Sequence, residues 1–230
     1  MNVKVLDGAP PVPITLRRSA RARRITLRVS GIDNRVTITL PKGVSEREAM
    51  AFAVQKESWI RQHLAKHSKP ERVGIGSEIP VEGQLVTLVP GAGRSVQAAG
   101  NVLAVPGPAE QAGARALGYL KTLARNRCAA AADHYGAKLG QQHTGLSIRD
   151  TRSRWGSCNS AGRLMLSWRL ILAPPQVLEY VVAHEIAHLA EMNHSRAFWE
   201  IVEDIYGPYK VERDWLRSNG GKLHKYRFSD

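Results

Sequence analysis

The chain has 230 residues, 43% hydrophobic and 23% charged, the balance of a folded protein able to bury a sizeable core in one or two domains. No stretch approaches the roughly 18 consecutive apolar residues of a membrane helix, and residues 1–8 lack the apolar run of a secretory signal. Cys128 and Cys158 form no CxxC, which sets aside a disulfide scaffold or an all-cysteine zinc site; a cytoplasmic protein with no membrane partner is expected.

The net charge of +13 is uneven: +6 over residues 1–40, +1 over 41–114, +8 over 115–175 and −2 over 176–230. Such a field favours anionic partners such as nucleic acid, nucleotides or acidic peptides, unless it serves only to keep a basic protein in solution.

In chain order, residues 12–40 alternate β-branched residues with Arg or Thr in VPITLRRS, RRITLRVS and RVTITLP, the pattern of a β-meander. Gly31, Asp33 and Asn34 supply the last hairpin turn. Ser45-Glu46-Arg47-Glu48 reads as a capping box opening a helix over about 45–67, with Ala49, Phe52, Ala53, Trp59, Ile60 and Leu64 as its apolar stripe. Short strands divided by glycines fill 75–105 and end in Pro106-Gly107-Pro108. Composition then shifts to an Ala/Leu-rich helix over about 109–141, with Leu117, Leu120, Leu123 and Ala124 facing a core. This places a domain boundary at 108, between a β-rich region (1–108) and a second domain (109–230), an α+β protein overall. Strands are expected near 146–150 and 163–167 with RWGSC between them. A helix follows from Pro174-Pro175 to about Met192, and another from Ser195 as N-cap through Tyr206.

The chemistry concentrates in residues 181–193, VVAHEIAHLAEMN. His184 and His188, four apart, project from one helical face on successive turns, so both imidazoles can reach one tetrahedral ion. Glu185 sits about 100° further round, within reach of a water at the ion without displacing it. This is the HExxH arrangement of zinc metallopeptidases, and with 8 His and 13 Glu in the chain roughly 0.02 chance matches are expected. A catalytic zinc takes three protein ligands and keeps one position open. His194 is the nearest third ligand; Glu200, Glu203 and Asp204 are the alternatives, although Phe198, Ile201, Val202 and Ile205 put those acids on a solvated face. Glu191 stands where a metzincin has Gly, and no methionine follows Met192, so the metzincin pattern does not apply. His63, His67, His134, His143 and His224 have no ligand-like company.

In Arg152–Cys158, Trp155 and Cys158 read as packing residues, whereas Arg152 or Arg154 can serve a cleft by neutralising an oxyanion or phosphate. Tyr206 and Tyr209 are further candidates for that task. Cys158 as a fourth ligand would close the site.

Taken together, Arg154-Trp155-Gly156-Ser157-Cys158, Trp168-Arg169-Leu170, Pro174-Pro175, Tyr180 to Glu185, His188, His194-Ser195 and Phe198-Trp199 resemble the YgjP-like metal-dependent hydrolases, relatives of the SprT-like metallopeptidases. Arg18-Ser19-Ala20-Arg21-Ala22-Arg23-Arg24 and Trp59-Ile60 extend the likeness over nearly the whole chain. The resemblance implies a zincin-like helical catalytic domain with a small sheet, zinc on His184, His188 and His194, and Glu185 as base. Peptide or protein substrates are expected first. Hydrolysis of a nucleotide (UTP-type) pyrophosphate is the alternative, and an association of the Arg-rich N-terminal region with nucleic acid, the metal site acting on bound proteins, is a third.

Overall fold

A computed structural model describes residues 2–30, 34–65 and 70–228, which divide into two compact units, 1–69 and 70–230. In the first unit, strands β1 (Asn2–Leu6), β2 (Val12–Arg18), β3 (Thr26–Val29) and β4 (Val36–Leu40) precede helices α1 (Glu46–Gln55) and α2 (Glu57–Ala65).

The sheet order is β1-β2-β4-β3, so the expected meander is rearranged. The last strand, β4, lies between β2 and β3, parallel to the one (Ile14↔Val36) and antiparallel to the other (Val29↔Val36). Burial explains the order: β4 sinks Val36, Ile38 and Leu40 completely, whereas no residue of β3 is buried and β3 takes an edge. Of the expected turn, Gly31 and Asp33 lie outside the described residues, while Asn34 adopts a left-handed φ of 56°.

The capping box forms as expected: Ser45 Oγ accepts from the Glu48 N–H at 3.2 Å, and the Ser45 N–H donates to Glu48 Oε2 at 2.8 Å. The single expected helix breaks at Lys56 (φ −100°, ψ 11°), and its expected end at His67 lies outside the described residues. The break turns the stripe, so Ala49, Ala53 and Ile60 join the sheet's core while Trp59 stays 40% exposed, stacked on His63 at 3.8 Å.

The second unit begins with β5 (Glu71–Arg72), β6 (Glu78–Val81), β7 (Gln84–Gly91), β8 (Gln97–Ala99) and β9 (Val102–Pro106). Helix α3 (Ala112–Leu139) follows, then β10 (Gly145–Arg149), β11 (Gly156–Cys158) and β12 (Arg163–Ser167). A short 3-10 segment (Trp168–Leu172) leads to α4 (Pro175–Ala187), α5 (Arg196–Ile205), α6 (Lys210–Asn219) and β13 (Tyr226–Arg227).

The boundary expected at 108 is displaced to 69/70. The reason is a shared core: Ile79, Leu88, Leu103 and Val105 of the sheet β6-β7-β9-β8 pack in one cluster with Ala116, Leu120 and Ala124 of α3 and with Val182 and Ile186 of α4. A sheet that covers the long helix cannot be parted from it without exposing both. RWGSC also does more than link strands, since its Gly156–Cys158 is itself the edge strand of a sheet ordered β10-β12-β11. Among the described residues no helix is long and apolar enough to cross a membrane.

Candidate metal centre

Helix α4 starts on Pro175, whose missing N–H costs nothing in a first turn, and runs into the core through Val181, Val182, Ala183, Ile186 and Ala187. It ends five residues sooner than expected, with His188 as its C-cap. Tight turns close behind it (Leu189 N–H to Ile186 carbonyl, 2.9 Å; Ala190 N–H to Ala187 carbonyl, 3.1 Å) and send the chain back. Ser195 then caps α5 by accepting from the Phe198 N–H at 3.4 Å.

This reversal brings His194 over the imidazoles of His184 and His188. One donor nitrogen from each of the three lies within 4.8 Å of the others, and the Nε2 atoms of His184 and His194 are 3.1 Å apart. Phe198 packs beneath all three, its ring centroid 4.8, 4.5 and 4.8 Å from those of His184, His188 and His194. The His188 Nδ1–H donates to the Glu191 carbonyl at 3.0 Å, which leaves its Nε2 as a lone-pair donor.

Burial is the largest cause that pushes His184 down to about 3, followed by repulsion from His188, His194 and Arg213; burial also lowers His188. His184 Nδ1 is buried without a hydrogen-bond partner. Neutral imidazoles that converge this closely, with no carboxylate among them, are the donor set of a borderline-soft divalent cation such as zinc. The residues present therefore fit such an ion. Of the alternative third ligands, Glu200 is engaged by Arg196 at 2.7 Å, and Glu203 and Asp204 are exposed.

Glu185 leaves α4 on another side and is 6% exposed. Its carboxylate lies against Gly156 of β11 and accepts from the Cys158 backbone N–H, with the charge of Arg154 nearby. Burial pushes the Glu185 carboxyl up to about 7, while Cys158 and Arg154 pull it back. Arg154 is exposed, on a loop where the Thr151 hydroxyl donates to the Arg154 carbonyl at 2.8 Å. Tyr206 is committed elsewhere, its hydroxyl donating to the Gln176 carbonyl at 3.0 Å. Trp155 packs on His224 at 5.3 Å, and Cys158 is a half-buried free thiol.

Three features escaped sequence reasoning. Gly156 leaves the space that the Glu185 side chain fills, a role that no spacing or pattern in the sequence marks. Helix α6 carries Arg213 to 4.8 Å from the Trp199 ring and close enough to act on His184. A stack of Tyr180, Tyr209 and Trp199 (5.9 and 5.1 Å between neighbours) stands beside His184.

The YgjP-like metallopeptidase domain matches residues 23–219. Among solved structures, the crystal structure of the metallopeptidase zymogen of Pyrococcus abyssi abylysin is similar at a TM-score of 0.36 and 22% identity, over 40% of this chain and 92% of that one. No curated protein matches the chain. With its match running from the first unit through α6, the chain belongs to the YgjP-like family and carries that family's metallopeptidase domain.

Proposed function

We propose that the chain is a zinc peptidase in which His184, His188 and His194 hold the ion and Glu185 is the base. The observation that carries this reading is the convergence of three imidazole donors within 4.8 Å, with a buried carboxylate on the same helix. Zinc bound there supplies a Lewis acid that activates water and polarises a carbonyl. Glu185 takes the proton of the attacking water and delivers it to the leaving amine as the C–N bond breaks. Gly156 and the Cys158 N–H hold that carboxylate in one orientation. Arg154, whose charge acts on Glu185, is the residue assigned to favour an oxyanion on the attacked carbonyl.

An extended peptide is the substrate this edge suits. Trp155 accepts from the Ser167 N–H and Asn159 donates to the Arg163 carbonyl, so these residues turn their main chain toward β12. The alternate residues, Gly156 and Cys158, turn theirs toward the open edge. The Cys158 N–H serves Glu185, which leaves the Gly156 N–H and both carbonyls for a substrate strand.

The test is Glu185→Gln in the zinc-loaded full chain, read by turnover of an unfolded protein such as casein, by zinc content and by a melting curve. Zinc and fold are expected to persist while turnover falls by about 10²–10⁴ or more, the usual worth of general-base assistance. Activity within a few-fold of the parent, zinc retained, ends the assignment of the base. A zinc-loaded parent inert toward peptides and unfolded proteins ends the peptidase reading.

A further inference from the structure

Helix α6 carries Tyr209 at its N-cap and Arg213 one turn further on, so both side chains leave the same face. That face lies along the metal centre. Tyr209 stacks on Tyr180 (5.9 Å, 8° between the planes) and on Trp199 (5.1 Å, 22°), and the Trp199 ring is 5.6 Å from that of His184 and 5.8 Å from that of His194. The Arg213 guanidinium lies 4.8 Å from the Trp199 ring centroid. Tyr180 is buried and Trp199 half-buried, so the rings form a fixed wall; Arg213 rests on it and stays exposed to solvent.

A positive charge is thereby held beside a site whose donors suit another. The charge of Arg213 reaches both His184 and Tyr180. Three neutral imidazoles contribute nothing to offset a divalent cation, and two like charges with one ring between them repel unless an anion joins them. The acids on either side of Arg213 in the chain face elsewhere. Asp214 reaches Arg217 at 3.8 Å, and Glu212 turns inward to Tyr206, with its Oε2 buried. The counter-charge is left to whatever the cleft binds.

We propose that Arg213 is a specificity residue that receives a carboxylate of the peptide substrate, either an acidic side chain or the free C-terminus. This inference rests on the peptidase reading and narrows its substrate class. The planar fork of Arg213 matches the two oxygens of a carboxylate, and the Trp199 ring holds that fork in place. A single ring separates it from the imidazoles, a span that one or two residues of extended chain cover at about 3.3–3.6 Å each. The carboxylate therefore stands within about two residues of the scissile bond.

The experiment gives the zinc-loaded full chain a library of synthetic decapeptides, each with a free and with an amidated C-terminus, and maps the cuts by mass spectrometry. Cuts should favour positions near Asp, Glu or the free C-terminus by about tenfold or more over Asn, Gln or the amide, the scale of one charge-assisted contact. Preference for Asp and Glu in both forms assigns a side chain; loss on amidation assigns the chain end. Arg213→Gln should abolish the preference and Arg213→Lys, which keeps the charge without the fork, should restore part of it. Zinc content and melting temperature should hold in both, because Arg213 is exposed. In zinc-loaded Glu185→Gln, calorimetry with a preferred peptide and its Gln or amide counterpart should show the same ratio in affinity, lost when Arg213→Gln is added. Cuts without preference, or a preference that survives Arg213→Gln, overturn the carboxylate site and leave the peptidase standing. A chain that cuts no peptide overturns both.

Discussion

A Cβ placed on Gly156 would lie 2.6 Å from Oε1 of Glu185 and 2.6 Å from its Cγ, so the carboxylate occupies the space that any other residue in β11 would fill. Gly156→Ala must therefore push the Glu185 side chain away from the Cys158 N–H. The expected result is a fall in turnover of at least about tenfold, with zinc retained and a stability cost of about 1–3 kcal/mol for overpacking. Parallel turnover, zinc and melting measurements check it, and unchanged turnover would mean that the carboxylate's position does not matter to the reaction.

His194 reaches the other two imidazoles only because the chain turns back after α4, which makes it separable from them by mutation. His194→Ala should weaken zinc by more than the roughly 10–100-fold cost of losing an outer-shell partner, while Glu200→Ala, which removes a partner of Arg196, should leave affinity unchanged. Competition with a chromophoric chelator measures both. The reverse ranking would make Glu200 the third ligand.

His224 is 3% exposed, and burial first, then Arg169, pushes it from 6.5 down to about 4. Between those two values the unfolded chain takes up a proton that the folded chain refuses. This contribution to stability is thus complete above about pH 6.5 and is lost as the pH falls toward 4, amounting to about 3 kcal/mol at most. Denaturant melts at pH 7.5 and 4.5 should show a smaller loss in His224→Gln than in the parent. Equal losses would place the acid sensitivity elsewhere.

Arg21, Arg23 and Arg24 are exposed between β2 and β3, and a non-specific contact with nucleic acid is expected of them. Replacing all three with Gln should lower affinity for duplex DNA and flatten the slope of log K against log salt by about 2 to 3. An unchanged slope would leave these arginines as a solvated face.

Local rules were enough for much of the fold. Ser45 with Glu48, and Ser195, mark helix starts through contacts within three residues, and Pro175 marks one through its fixed φ and missing N–H, all of them local effects. Strand order was not legible, because β3 and β4 alternate alike and only burial against α1 and α2 decides which is central. The boundary at 108 failed for the same reason: a turn-rich Pro106-Gly107-Pro108 marks a change of element, not a separation of cores.

At the site, the spacing of His184 and His188 and the offset of Glu185 follow from helix geometry alone, since a 3.6-residue turn fixes where each side chain leaves the axis. The approach of His194, the Phe198 ring under the three imidazoles and the fit of Glu185 against Gly156 depend on a chain reversal and an edge strand. The same holds for the packing that sets Arg213 on the Trp199 ring. Helical periodicity is a property of neighbours, whereas convergence of distant residues is decided by which surfaces the whole unit buries together.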